Sequence, residues 1–349
     1  MDIQKYTDKY FTHTRQILEG AGLDPWVKMQ VFIRKGPGRV YGINEAIAML
    51  RNSGMQYVGG SILALPEGAP YTPGNVVMFI EAPLRVIVEY ETIYLGIISK
   101  HTTLGNGGVE PGLLAVEKRV EAIKELIGDR NIYYFGARHW HYLDDSAISK
   151  AAMRGGALAC STDASGHTGV GTMPHALVIA CGGTGLAAGD FHKYIDPSVK
   201  RVVLVDTFNK EITDALDSLG VLWDRMGADS WRACPPGIRL DTCGENIGEG
   251  CHTKGVSVEL ARKVRIALDS AGYSDVSITL SSGFADLNKV FNFVRAEKIL
   301  GIKLFDSLGV GQLWDGISAT SDIIEVDGEC KSKTGREAKT HSGLVEVVW

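Results

Sequence analysis

The sequence has no apolar run of transmembrane length; its longest, from His175 towards Ala188, is broken by glycines. It has no CxxC pair either. Its six cysteines are scattered through 349 residues, a usage expected of reduced thiols in a cytoplasm rather than of a disulfide framework. Cys243, Cys251 and His252 stand close together, but their spacing is not that of a zinc knuckle and no fourth ligand is evident. They read as loop residues near an active site, and no metal ligand is expected among them. Positive charge is not in excess. A formal net charge of −5 provides no global basic field for nucleic acid, although a phosphate pocket needs only a few local donors. The opening MDIQKYTDKYFTH is polar with both charge signs and does not read as a signal peptide. Internal repeats, low-complexity tracts and long charge blocks are all missing.

What remains is ordinary globular composition, 45% hydrophobic and 22% charged, enough for one large core or two domains. The pattern changes near residue 110. Before it lie short β-like runs, Met29–Ile33, Val76–Ile80 and Leu84–Val88, separated by Gly/Pro clusters, which predict a small α+β domain over 1–110. After it, Leu113, Val116, Val120, Ile123 and Ile127 share one helical face, with Gly128 as the stop. Strand candidates then alternate with helices. The strands are 132–135, 157–160, 169–171, 202–205, 238–240, 277–280 and 302–305; the helices are 209–219, 256–271 and 285–300. This alternation predicts parallel strands, and about seven of them can close an irregular, TIM-like α/β barrel over 111–311. The tail, 312–349, is β-like again and is expected to return to the first domain.

Barrels of this type carry their chemistry just beyond the C-terminal strand ends. Those positions hold Arg138, Asp163, the run Gly171-Thr172-Met-Pro-His175, Asp206, Arg239 with Asp241, Ser282 with Gly283, and Asp306 with Gly309 and Gly311. Each has a plain structural reading. An Asp after a strand caps the next helix, a histidine after Pro174 starts one, and a glycine pair makes a turn. Taken together, two arginines, four aspartates, a histidine and two glycine-rich turns at one mouth are costly to assemble unless a ligand balances them. Arginines and glycine turns suit phosphates. Carboxylates can hold Mg²⁺ beside a diphosphate or stabilise positive charge on a sugar. A histidine can act as a base or be transiently phosphorylated.

In this order the motifs resemble the nicotinate phosphoribosyltransferase family of type II phosphoribosyltransferases. Thr7-Asp-Lys-Tyr-Phe11, Phe32-Ile-Arg34, Glu91-Thr-Ile-Tyr-Leu-Gly96, Phe135-Gly-Ala-Arg138, Gly171-Thr-Met-Pro-His175, Val205-Asp-Thr207, Gly237-Ile-Arg-Leu-Asp241, the Phe305 to Gly311 stretch and Lys333-x-Gly-Arg336 follow one another along nearly the whole chain. The resemblance implies that nicotinate attacks C1 of 5-phosphoribosyl-1-diphosphate, with Mg²⁺ and with ATP that phosphorylates His175. It implies Asp241 and Asp206 as catalytic carboxylates and Arg239 with Asp241 on the phosphoribosyl part. Thr172 and Ser282 would bind substrate, and Gly283, Gly309 and Gly311 would line the 5′-phosphate site. Phe135 would stack on the pyridine ring and Arg138 would face the base or diphosphate. Tyr10 and Arg34 would come from the partner of a homodimer. Two departures bear on the base. His139 replaces a second basic residue, and Asp163 stands where nicotinamide-using relatives carry Asp. Nicotinamide or another heterocycle therefore stays open as the substrate, a quinolinate-type activity fits the motifs less well, and a non-catalytic nucleotide sensor is the reading from another class.

Overall fold

The computed structural model describes residues 2–339 and 343–349. The strand–helix alternation becomes a six-stranded, wholly parallel sheet in the order Ala159–Cys160, Asn131–Tyr134, Ser307–Val310, Ser277–Leu280, Gly237–Leu240, Val202–Leu204. It curls into an open barrel. No pairing joins the first of these strands to the last among the described residues.

The helices form where periodicity puts them, and their ends have identifiable causes. Leu113–Ile127 buries Val116, Val120, Ile123 and Ile127 and stops at Gly128, whose φ of 66° suits glycine. Val258–Ser270 starts where the Ser257 side chain accepts from the Leu260 N–H, and it buries Leu260, Ala261, Val264 and Leu268. Leu287–Leu300 starts at Asp286, which accepts from the Asn288 N–H. The helix expected over 209–219 runs on as Glu211–Ala233 with a kink at Gly227, because Leu222 and Trp231 continue its buried face.

Three expected strands differ. Residues 169–171 are loop: a Cβ on Gly169 or Gly171 would lie 2.8 Å from backbone of Ser161 or Tyr10, so the segment threads close to other chain and has only Val170 to pack as a strand would. Residues 302–305 precede the strand Ser307–Val310 rather than form it. Leu304 and Phe305 are apolar because the core covers them. Asp306 consequently sits at the start of a strand, where its carboxylate accepts from the Ile278 N–H at 2.7 Å, away from the mouth. Leu84–Ile87 is a short helix.

The second sheet is antiparallel, ordered Glu329–Cys330, Ala319–Val326, Trp26–Ile33, Val76–Pro83, Ser61–Ala64, Val345–Glu346. Trp26–Ile33 lies at its centre. Val27 faces Val326 and Ile33 faces Ala319 on one side, and Met29 faces Ile80 on the other. Strands from both ends of the chain thus complete one sheet. Each sheet has its own apolar core. The helix His175–Ala180 bridges them, sending Leu177 and Val178 into the barrel core and Ala176 and Ile179 into the other. Burial of its leucine and valine is worth about 1.5–3 kcal/mol each, which anchors the helix that begins with His175. No helix is long and apolar enough to cross a membrane among the described residues.

Candidate active site

A cavity of about 470 Å³ lies between the barrel mouth and the antiparallel sheet. His175, Asp241, Tyr10, Arg34, Phe135, Arg138, Arg239, Ser282, Gly283, Gly309 and Gly311 all border it. Tyr10 and Arg34 do so from their own chain, where the resemblance implied the partner's copies. The helix Lys9–Ala21 docks on the barrel through the Lys9 N–H, which donates to the Ser161 carbonyl at 2.8 Å, and this docking carries Tyr10 to the mouth.

His175 is held from several sides. Lys333 Nζ stands 2.8 Å from its Nε2, and an ammonium can only donate, so Nε2 is an acceptor. The proton is then on Nδ1, which faces Thr207 Oγ1 at 2.9 Å. Burial and the Lys333 ammonium lower the His175 pKa, against the pull of Asp206 and Asp241. The ring is neutral at pH 7, with the lone pair of Nε2 capped by Lys333. Lys333 also donates to Asp206 Oδ2 at 2.6 Å. Burial works against the Lys333 charge, but Asp206 and Asp241 outweigh it and raise its pKa. Asp206 itself does not border the cavity. It is buried and spent on the lysine, so its place is behind the histidine.

Asp241 faces the cavity, 3.6 Å from His175 Nε2, and accepts from Ser281 Oγ at 2.7 Å. Burial pushes its carboxyl up, yet the Arg239 and Lys333 charges beside it hold it well below the usual carboxylate range. It remains ionised. The turn beyond Ser277–Leu280 carries two successive left-handed residues, Ser282 at φ 70° and Gly283 at φ 83°. The first is uncommon for a residue other than glycine, asparagine or aspartate and marks a strained, functional type of turn. Lys289 braces it by donating to the Ser282 carbonyl at 2.7 Å, and burial lowers the Lys289 pKa to about 8.

Gly309 and Gly311 have a steric reason to be glycine. A Cβ on Gly309 would lie 2.6 Å from Cε2 of Phe135, and one on Gly311 would lie 2.9 Å from Nε2 of His139. They let two rings lie flat against the backbone. Arg239 sits over the Phe135 ring, 5.9 Å from its centroid. His139 is neutral, its pKa pushed down to about 3 by burial and by Arg138.

Asp163 and Thr172 do not border the cavity. Asp163 accepts from Lys9 Nζ at 2.6 Å and from the Gly169 N–H at 2.7 Å. Its carboxylate closes the 163–169 loop and is not presented to a base. The site also includes residues that strand-end reasoning missed: Glu91, Ser281, Asp322, Lys333 and Arg336. Glu91 opened one noted motif and Lys333 and Arg336 stood in another, and their distance from the barrel in sequence hid their place.

For metals, Cys243 borders the cavity, but Cys251 and His252 are not gathered with it into a ligand group among the described residues. Glu45, His101 and His141 do cluster, each ring Nε2 standing 2.9 Å from one oxygen of Glu45. His141 Nδ1 accepts from the Leu143 N–H at 3.3 Å, so its Nε2 carries a proton towards Glu45. That is a hydrogen-bonded clamp between helices rather than a set of free lone pairs.

Residues 8–102 match the family described as quinolinate phosphoribosyl transferase, N-terminal domain. No curated protein sequence matches the chain. Among solved structures, the chain is similar to nicotinate phosphoribosyltransferase from Porphyromonas gingivalis, at 14% identity over 95% of this chain and 92% of that one, with a TM-score of 0.61. It is similar to nicotinate phosphoribosyltransferase from Vibrio cholerae at 14% identity over 95% and 88%, with a TM-score of 0.64. It also resembles nicotinate-nucleotide pyrophosphorylase from Pyrococcus furiosus, at 27% identity over 97% and 80%, with a TM-score of 0.48. The chain shares the fold of the two nicotinate phosphoribosyltransferase structures, an open parallel barrel set against an antiparallel sheet.

Proposed function

We propose that the protein is a phosphoribosyltransferase of NAD salvage that joins nicotinate to 5-phosphoribosyl-1-diphosphate, releasing nicotinate mononucleotide and diphosphate. The observation that carries this reading is the single cavity that unites Phe135, Arg138 and Arg239 with the Ser282–Gly283 turn and the His175–Asp241 pair. The aromatic ring of Phe135 offers a face for a pyridine. The ring nitrogen attacks C1, the C1–O bond to diphosphate breaks, and positive charge grows on the sugar. Asp241, ionised beside that charge, stabilises it. Ser282, Gly283 and the Lys289 brace suit the 5′-phosphate, and Arg138 and Arg239 suit the diphosphate or the base. The same ionised Asp241 fits Mg²⁺ carried on the diphosphate, which when bound would neutralise the leaving group.

ATP enters this reading as a second substrate. His175 Nε2 bears the lone pair that forms a bond to the γ-phosphorus as the bond from that phosphorus to the ADP oxygen breaks. Lys333 must release Nε2 for this and then neutralises the phosphoryl group. Water later cleaves the N–P bond, giving inorganic phosphate.

A second reading is favoured by charge. Arg34, Arg138, Arg239, Lys333 and Arg336 all border the cavity, which suits a pyridine with two carboxylates, such as quinolinate. One experiment separates the readings. Purified protein is given phosphoribosyl diphosphate, Mg²⁺ and equal nicotinate, nicotinamide and quinolinate, with and without ATP, and the mononucleotides are identified by mass spectrometry. Nicotinate consumption raised by ATP supports the first reading. Quinolinate consumption with release of CO₂ supports the second. No mononucleotide at all refutes both.

A further inference from the structure

The wall of the cavity facing the barrel contains a carboxyl that the protein leaves unused. Glu91 opens the helix Glu91–Gly105, borders the cavity and is only 8% exposed. No hydrogen bond engages its side chain among the described residues. Groups beside it bond to one another. Arg138 Nη1 donates to Tyr10 Oη at 2.6 Å, and Tyr10 donates to Asp8 Oδ2 at 3.1 Å. Thr92 donates to that same oxygen at 3.1 Å.

The titratable groups acting around Glu91 come from four elements. Arg138 follows the strand Asn131–Tyr134, Asp322 lies on Ala319–Val326, Asp8 and Tyr10 lie at the start of the first long helix, and Tyr94 lies on Glu91's own helix. Burial raises the Glu91 pKa to about 8, with Arg138 opposing and Asp322 and Asp8 reinforcing. At neutral pH the group is a carboxylic acid with one O–H to give.

Resting on the reading that this cavity holds an aromatic base, we propose that Glu91 is a specificity-determining residue that donates the proton of its neutral carboxyl in a hydrogen bond to a carboxylate on that base. A carboxylate brings acceptors and no donor, and the O–H of Glu91 is a buried donor at the cavity with no partner of its own. An amide substituent behaves differently. Its carbonyl accepts from the acid, and its NH₂ can donate to the ionised form, so it tolerates either state. Ionised Glu91 repels a carboxylate.

The test uses benzoate, which carries the carboxylate on a ring without the reacting nitrogen, and benzamide as its neutral counterpart. Binding of each to the full chain is titrated by calorimetry from about pH 6.5 to about pH 9.5. Benzoate affinity is expected to hold up to about pH 8 and then to fall about tenfold per pH unit. Benzamide should stay within about twofold, as expected for a neutral ligand. Glu91→Gln keeps an N–H donor but cannot ionise, so its benzoate profile should be flat. A flat wild-type profile, an unchanged fall in Glu91→Gln, or no benzoate binding at the lowest pH overturns the proposal. If the Glu91-dependent fall is present but no mononucleotide forms from nicotinate, the reaction reading fails and the role of Glu91 stands. The opposite pair of results removes only Glu91.

Discussion

Lys333 Nζ points at Nε2 of His175 from 2.8 Å, and the two residues are brought together across 158 positions of sequence. The lysine caps the lone pair that the proposed phosphoryl transfer needs and lowers the pKa of the ring after burial has already done so. Lys333→Met removes both effects. The His175 pKa should then rise, since the carboxylates of Asp206 and Asp241 remain, and histidine resonances followed by NMR across pH would report it. Stability should fall by about 3–5 kcal/mol, because Asp206 keeps a buried charge with its partner gone. An unchanged His175 titration would show that the ammonium does not act on the ring.

Gly309, which lies within the strand Ser307–Val310, decides between two roles for the glycines of this stretch. If it serves the phosphate, Gly309→Ala should raise the KM of phosphoribosyl diphosphate. The close approach of Phe135 Cε2, 2.6 Å from where that Cβ would be, argues that it serves the ring. Gly309→Ala is therefore expected to raise the KM of the base roughly tenfold, to leave that of phosphoribosyl diphosphate within about twofold, and to cost about 1–3 kcal/mol through overpacking. Steady-state kinetics with each substrate varied in turn gives the answer.

The barrel side of this site was legible because the argument needed only local patterns. An apolar strand followed by a charged or glycine-rich end locates Arg138, Asp241 and Gly283 without knowledge of the partner strands, whereas His175 follows a loop where a strand was expected. The same logic misplaced Asp163. It is a strand-end carboxylate like the others, but its direction is set by Lys9, 154 residues away, and no local pattern encodes that. Residues 302–305 misled because apolar character marks burial, and burial began before the strand did. Glu91 and Asp322 were out of reach for a further reason. They reach the cavity from the antiparallel sheet and its covering helix, so their place depends on how that domain docks on the barrel.

Tyr10 and Arg34 border the cavity of their own chain, and this has a clean genetic test. Tyr10→Ala and His175→Ala each cripple one contribution to the site. If sites were shared between subunits, mixing the two variants would regenerate about a quarter of the sites intact, by the statistics of a two-fold assembly with shared sites. With both residues supplied in cis, every site in the mixture keeps one defect. The mixed or co-expressed variants are expected to show no more product formation than the average of the two alone. Recovery of activity would mean that the partner supplies Tyr10.

Stability should depend on pH in an unusual direction for an acidic protein. Asp145, Asp322 and Glu91 are buried, and burial raises their pKa values to about 6, 7 and 8. Hydrogen bonds from Thr162 and Ser149 oppose the effect at Asp145, and nearby cations led by Lys333 oppose it at Asp322. Each folded value lies above its unfolded one, so the folded state binds these protons more tightly. The stability they contribute is full below about pH 4, near the unfolded values, and is lost as pH rises through the folded values, at about 1.4 kcal/mol per group for each unit separating the two. His139 and His175, whose pKa values burial lowers, oppose this trend below about pH 6.5, and Lys289 opposes it above about pH 8, so Tm should fall most clearly between about pH 6.5 and about pH 8 at fixed ionic strength. Glu91→Gln should flatten the upper part of that fall, above about pH 7, while leaving the part due to Asp322 in place. Thermal denaturation of the two proteins across this range measures both slopes. A Tm that rises between about pH 6.5 and about pH 8, unchanged in Glu91→Gln, would mean that these carboxyls are ionised in the fold, which would also remove the donor assigned to Glu91.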